Sequence, residues 1–374
     1  MYINISKVDF GRCYSGSGGG GEEYYGMYIT TAGDSAINVT PNDSYYTLHG
    51  KYLKYSFNGK KWNDWNSSVT IEPEKKMYLK GEDDYVWNES TSGKLIKSDG
   101  YYNVGGDISS LTNEIVEVKN STFKSLFYND SYIKDASNLI LPTTTLADRC
   151  YCNMFNGCTS LTTAPELQAT TLADSCYNSM FKGCTSLTTA PALPATTLAY
   201  ACYVSMFSGC TKLTTAPELQ ATTLASICYK YMFQGCTSLT AAPELPATTL
   251  DTDCYNSMFQ GCTSLTTAPE LPATTLASNC YCFMFYNCTS LTTASELPAT
   301  TLAVSCYLSM FDGCIKLNSI TMLATNISAS DCLTDWVNDV APTGTFTKSP
   351  KMTSLHKGAS GIPSGWTVKD YVAA

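Results

Sequence analysis

An α/β solenoid with a 26-residue period, preceded by a small antiparallel β domain, is the architecture this sequence predicts. Two cysteine series and one hairpin signal carry the prediction. The first series runs Cys150, Cys176, Cys202, Cys228, Cys254, Cys280, Cys306 and Cys332, and the second runs Cys158, Cys184, Cys210, Cys236, Cys262, Cys288 and Cys314, each with a step of 26. Together they use fifteen of the eighteen cysteines and leave Cys13, Cys152 and Cys282. Self-similarity at such a period marks stacked coils that bury their apolar faces only against neighbours, so both ends need caps.

Five segments follow in chain order. Residues 1–23, ending in the run GSGGGGEE, read as an arm and a glycine-rich joint. Residues 24–120 read as the β domain: Leu53, Tyr55 and Phe57 alternate before Asn58-Gly59, a hairpin signal, and Val69, Ile71, Met77 and Leu79 continue the pattern around Pro73. Trp62, Trp65 and Trp87 suit a sugar-stacking platform, although most tryptophans of this kind are core. Residues 121–149 read as an N-terminal capping repeat, with Phe127, Ile133 and Ala136 in register with the copies that follow. Residues 150–331 hold seven repeats. Residues 332–374 form the C-terminal cap, where Trp336, Val337 and Val340 replace Met, Phe and Cys, and Phe346 and Trp366 close the core.

Counting from the first cysteine of a copy as zero, apolar residues recur at Leu −4, Cys 0, Tyr +1, Met +4, Phe +5 and Cys +8. At about 100° per residue these share one face, which predicts a helix of roughly three turns. The threonine pair before the leucine suits its start. Gly157, Gly183, Gly209, Gly235, Gly261 and Gly313 at +7, with Asn287 in the sixth copy, suit a left-handed end. The following CTSLTTAPELP predicts one short strand or extended segment. Helix plus strand in 26 residues falls in the range of leucine-rich repeats.

The cysteines admit three readings: disulfides, metal ligands and buried thiols. Eight residues of helix rise about 12 Å, too far for a bridge within a copy. Stacked +8 cysteines lie close enough to pair, but seven members leave one over. The array holds no Cys-x-x-Cys and no histidine, so zinc lacks its usual ligands. Buried thiols fit best, with Cys152 and Cys282 at the more exposed +2 position.

Lys and Arg number 23 against 32 Asp and Glu, a net charge of −9, which gives no electrostatic footprint for nucleic acid. His49 and His356 are the only histidines, too few for acid/base chemistry. No catalytic group, metal site or cofactor is expected. Lys7, Asp9 and Arg12 interrupt any apolar leader, and no stretch is long enough to span a membrane, so folding in a cytoplasm is expected.

Variation among copies concentrates at −2, −1, +2, +3 and +6, opposite the buried face. Tyr200, Val204, Ile227, Tyr231, Phe283 and Tyr286 add apolar bulk there. Drift at solvent positions explains such residues singly, whereas a contiguous set would be a contact surface. A second stripe at +16 stacks Glu166, Glu218, Glu244, Glu270 and Glu296, interrupted by Ala192, as a solvated acidic edge or a seat for cations or a basic partner. Threonines at +12 and +13 offer hydroxyls to glycans or simply favour strands.

The MF-x-GC-T-S-L pattern resembles the BspA-type leucine-rich repeats of bacterial surface proteins over residues 122–374. With its P-A-T-T-L-A and GIPSGWTV sequences it is similar to a subtype encoded by gut Bacteroidales and by their crAss-like and other tailed phages. The resemblance implies adhesion and no catalysis. The expected function is a non-catalytic phage virion protein, a fibre, receptor-binding or decoration component. Its N-terminal region would attach to other virion proteins, and its solenoid would meet a host-surface protein or glycan. Phage fibres suggest a homo-oligomer by analogy alone. A bacterial cell-surface adhesin is the alternative, less favoured because a phage product leaves by lysis and needs no export signal.

Overall fold

The computed structural model describes residues 24–42, 53–81, 94–112, 118–141 and 143–372. The arm at 1–23 with Cys13, and His49, Trp87 and Pro142, lie outside the described residues.

The N-terminal region is a two-sheet sandwich. Its strands are β1 (Tyr28–Thr31), β2 (Ile37–Pro41), β3 (Leu53–Ser56), β4 (Asn63–Asp64), β5 (Val69–Ile71), β6 (Met77–Gly81), β7 (Ile96–Ser98) and β8 (Tyr102–Asp107). One antiparallel sheet has the order β5-β2-β7. The other runs β4-β3-β6-β1-β8 and continues into β9 (Ile133–Ile140), a strand of the capping repeat that lies parallel to β8. Alternation in the sequence places Ile29, Leu79 and Val104 on the inner face against Val39, Ile71 and Ile96. The hairpin expected at Asn58-Gly59 is present as β3 and β4, but its loop is six residues long, 57–62. The Asn58 side chain organises that loop by accepting the Lys60 and Lys61 N–H groups, each at 3.0 Å.

From residue 118 the chain is a stacked repeat array, and its core is continuous with that of the sandwich. Each copy adds one layer to aligned columns. Tyr rings at +1 stack from Tyr177 on Tyr203 at 5.9 Å to Tyr255 on Tyr281 at 5.8 Å, and Phe rings at +5 from Phe181 on Phe207 at 5.7 Å to Phe259 on Phe285 at 5.7 Å.

The helix expected in each copy is absent; among the described residues there is no α-helix. Residues −1 to +8 instead form a ribbon of overlapping turns. Every second N–H bonds locally, three residues back, as in Met154 N–H to the Tyr151 carbonyl (3.1 Å) and Cys158 N–H to the Phe155 carbonyl (3.0 Å). The alternate N–H groups reach the next coil: Tyr151 donates to Cys176 (3.0 Å), Asn153 to Asn178 (2.9 Å) and Phe155 to Met180 (2.9 Å). The device that breaks the helix is a left-handed residue at every fourth position, −1, +3 and +7, such as Ser175 (φ 56°), Ser179 (φ 56°) and Gly183 (φ 72°). A positive φ at the third residue of a turn is the type II signature. An α-helix would satisfy its own N–H groups and leave nothing to tie coil to coil.

The glycine column shows this constraint directly. A Cβ on Gly209 (φ 75°) would meet only backbone 3.7 Å away, so Gly209→Ala should lose about 1 kcal/mol from the left-handed backbone alone. A Cβ on Gly313 would collide with the Asn287 side chain, so Gly313→Ala should lose clearly more. Chemical denaturation of the two variants side by side checks the order. Asn287 itself adopts φ 59°, as expected of an asparagine replacing glycine.

The expected strand of each copy shrinks to isolated parallel bridges, Thr145 to Thr171 to Thr197 and Thr223 to Thr249 at −5, and Thr189 to Thr215 and Thr267 to Thr293 at +13. The −5 threonines therefore bridge coils and do not cap helices. Prolines at +15 and +18, such as Pro243 and Pro246, remove the N–H groups a ladder needs. Where the last copy lacks them, β10 (Ser319–Met322) forms and pairs in parallel with β11 (Thr345–Lys348), which pairs with β12 (Thr367–Asp370). Indoles and a phenyl ring close the core at the C-terminal end. Trp336 and Phe346 are fully buried, Trp336 Nε1–H donates to the Gly361 carbonyl (2.8 Å), and Trp366 Nε1–H donates to that of Ala341 (2.7 Å).

At the other end Asp130 occupies the +8 position that a thiol fills in the seven repeats. It is fully buried, accepts the Tyr102 hydroxyl of β8 at 2.7 Å and the Tyr132 N–H at 3.0 Å, and lies 3.8 Å from the Lys94 ammonium. Burial pushes its carboxyl above the usual range while these partners pull it back.

Candidate functional site

The seventeen cysteines among the described residues are free and buried. Each +8 thiol donates to the Phe +5 carbonyl of the preceding coil, as Cys184 Sγ to Phe155 (3.1 Å) and Cys262 Sγ to Phe233 (3.1 Å). Burial pushes these thiols up, Cys210 and Cys288 to about 12. Cys152 and Cys282, expected to be the more exposed, are buried too, because adjacent coils shield the +2 column. Burial raises the Cys282 thiol to about 12, with the nearby Asp253 carboxylate adding to it and Lys230 opposing. Thiols held neutral in this way are poor nucleophiles and poor metal ligands. Among the described residues no group of three His, Cys, Asp or Glu side chains converges on a metal-sized space.

The outer flank of coils three to six is where the copies differ. Of the six bulky residues there, Tyr200 is exposed at 49%, while Val204, Ile227, Tyr231, Phe283 and Tyr286 are half-buried between neighbouring coils. The structure brings Phe283 and Tyr286 into edge-to-face contact at 5.7 Å. It surrounds Tyr231 with polar groups whose proximity is not visible in the sequence. Lys230 Nζ lies 5.4 Å from the Tyr231 ring and pairs across coils with Asp253 at 3.1 Å, and Asn256 donates to the same carboxylate at 2.6 Å. Gln234 Nε2 donates to Gln260 Oε1 at 2.8 Å on the adjoining +6 column. The flank is thus aromatic rings set among fixed amides and one ion pair.

Three of the six residues stand at left-handed positions: Ile227 (φ 60°), Tyr231 (φ 59°) and Phe283 (φ 54°). Other copies place Ser, Asn, Asp, Ala or Arg at the same points, as Ser179, Asn153, Asp253, Ala201 and Arg149. A β-branched or bulky residue is unusual there and costs on the order of 1 kcal/mol. Local strain of this kind is a recognised companion of binding surfaces.

The acidic edge lies elsewhere on the coil. Glu166, Glu218, Glu244, Glu270 and Glu296 are all exposed and enter no ion pair among the described residues. Between successive coils Glu244, Glu270 and Glu296 line shallow hollows walled by proline, one of about 290 Å³ with Pro243, Glu244, Pro246, Pro269 and Glu270, and one of about 440 Å³ with Glu270, Pro272, Glu296 and Pro298. The Tyr371 phenol, in the C-terminal tail, is raised chiefly by the Glu296 carboxylate. The threonines at +12 serve the stack, as Thr214 Oγ1 donates to the Thr188 carbonyl at 3.2 Å. In the β domain Trp65 is fully buried and Trp62 half-buried, so the structure does not assemble them into a platform.

Comparison with known proteins returned no match: no family model, no curated protein and no solved structure is similar to this chain.

Proposed function

We propose that this protein is a non-catalytic recognition scaffold of the leucine-rich-repeat, BspA-like kind, a virion component of a tailed phage that meets a host-surface protein or glycan through the outer flank of coils three to six. The observation that carries this reading is the placement of Ile227, Tyr231 and Phe283 at left-handed backbone positions. Drift fills such positions with residues that tolerate them; retention of large apolar side chains at a cost in stability fits selection for contact. Aromatic rings beside Lys230, Asp253, Asn256 and Gln260 supply both stacking and directed hydrogen bonds. The virion assignment rests on the resemblance of the MF-x-GC-T-S-L pattern to BspA-type repeats of the subtype that tailed phages encode.

The test is the combined variant Tyr200→Ser, Tyr231→Ser and Phe283→Ser. Ser179, Ser205, Ser257 and Ser309 already stand at +3 in other copies, so the fold should keep its stability to within about 1 kcal/mol. Binding to host cells should fall by at least about tenfold, as expected when aromatic anchors are removed. Undiminished binding by a folded variant would reject the flank as the contact. Quantitative proteomics of purified particles tests the assignment to the virion; recovery on the bacterial envelope and not in particles identifies an adhesin instead.

A further inference from the structure

The outer face of the six-stranded sheet differs in charge from the rest of the chain. Register pairs Lys54 with Lys80, Ser56 with Tyr78 and Tyr28 with Tyr78, so these side chains share the face opposite Ile29 and Leu79. Their rings form a connected patch: Trp62 to Tyr24 at 5.0 Å, Tyr24 to Tyr78 at 5.5 Å, and Tyr78 to Tyr28 at 6.0 Å. Lys80 Nζ sits 4.8 Å from the Trp62 ring and Lys76 Nζ 4.5 Å from the Tyr28 ring. Lys60 and Lys61, in the 57–62 loop, and Lys75 join them at this end of the sheet and are exposed. Lys60, Lys61, Lys75, Lys76 and Lys80 enter no ion pair among the described residues. Glu72, Glu74 and Asp64 are the described carboxylates nearest in sequence, and Asp64 is paired with Lys54 at 3.3 Å; Glu82, Asp83 and Asp84 lie outside the described residues. Among the described residues a cationic, aromatic face therefore stands on a chain whose net charge is −9.

The complementary surface is on the same molecule. The glutamates of the array edge are equally without cationic partners, and their hollows are walled by proline, a surface on which aromatic rings pack well. Within one chain the two surfaces are held apart. The sandwich is fixed to the first layer through β8, β9 and Asp130, while Glu270 lies several layers along a stack whose rings are 5.8 Å apart.

We propose that copies of this chain associate head to side, the lysine-aromatic face of one sandwich seating on the proline-glutamate edge, around Glu244 and Glu270, of a second copy. This does not rest on the host-recognition reading, because the outer flank of the array takes no part in it. The overall charge of each copy opposes approach. The Debye length of about 8 Å at physiological salt confines that repulsion, so local pairing decides. A contact between two different surfaces is heterologous and builds a ring or an open chain.

Sedimentation velocity of the full chain over a wide concentration range at physiological salt tests the proposal. Wild-type protein should sediment faster as concentration rises. The variant Lys60→Glu, Lys61→Glu and Lys76→Glu, and separately the variant Glu244→Lys and Glu270→Lys, should each associate at least about tenfold more weakly. All five residues are exposed, and mixing the two variants should restore association, because the reversed face then meets the reversed edge. A wild-type protein that stays monomeric, variants that associate as well as wild type, or a mixture that does not recover would each overturn it. So would a monomer whose lysine face binds poly-glutamate or an anionic polysaccharide, which would mark an external polyanion as the occupant.

Discussion

Raised from neutral pH, the array is expected to unfold as a unit between roughly pH 9 and 11, because its thiols can ionise only in the unfolded chain. In the folded protein burial holds Cys176, Cys210, Cys254 and Cys288 up at about 12, against an ordinary value of 9.0. A thiol whose folded pKa is raised contributes its full stability below the unfolded value. The contribution drains away as pH climbs from there towards the folded value. Within that window each buried thiol approaches a loss of about 1.4 kcal/mol per pH unit. The seven +8 thiols together then lose on the order of 10 kcal/mol for each unit, comparable with the whole stability of an ordinary domain. Far-ultraviolet circular dichroism and tryptophan fluorescence along an alkaline titration check it, with alkylation by iodoacetamide as a second readout. The buried thiols should resist alkylation until the transition and react together through it. Gradual alkylation in the folded state near pH 8, or an array still intact well above pH 11, would contradict dry, neutral thiols.

The second large effect is expected at Asp130. Its carboxylate takes hydrogen bonds from Tyr102 and Tyr132 and faces Lys94 from a position without solvent. Asp130→Ala strands the Tyr102 hydroxyl and leaves the ammonium without its counter-charge, and should lose about 3–5 kcal/mol, as when one member of a buried pair is removed. Asp130→Asn keeps an acceptor for the phenol and should lose less. Asp130→Cys restores the residue that every repeat carries at +8, yet should stay close to the alanine variant because a thiol cannot answer Lys94. Urea unfolding of the three variants gives the ranking. A cysteine variant as stable as wild type would show that this position needs only a small buried side chain.

The columns of the array and the burial of the paired cysteine series can be read from spacing alone. The conformation of the ribbon cannot be read that way, and the reason is specific. Buried positions 0, +1, +4, +5 and +8 satisfy a helical wheel loosely and a repeat of four strictly. On an α-helix Cys +8 would be turned about 80° from Cys 0. The column that separates the two readings is −1, +3 and +7, where Ser, Asn, Asp and Gly recur every fourth residue. Ile227, Tyr231 and Phe283 obscure it by standing at the same points. Threonine suggests strand pairing that Pro243, Pro269 and their equivalents prevent. On the flank, the six bulky residues were visible as departures from consensus. Lys230, Asp253 and Asn256 were not, since their contact joins successive coils and depends on a ribbon geometry that the helical reading did not contain.

Because the alternate N–H groups of the ribbon all point from one coil to the following one, every interior layer offers the same donors on one side and the same acceptors on the other. Layers are therefore interchangeable bricks, and excising or duplicating a whole 26-residue block leaves each junction chemically identical to those already present. Evolution can tune reach by counting blocks and tune taste by editing single side chains on them, with neither adjustment disturbing the other.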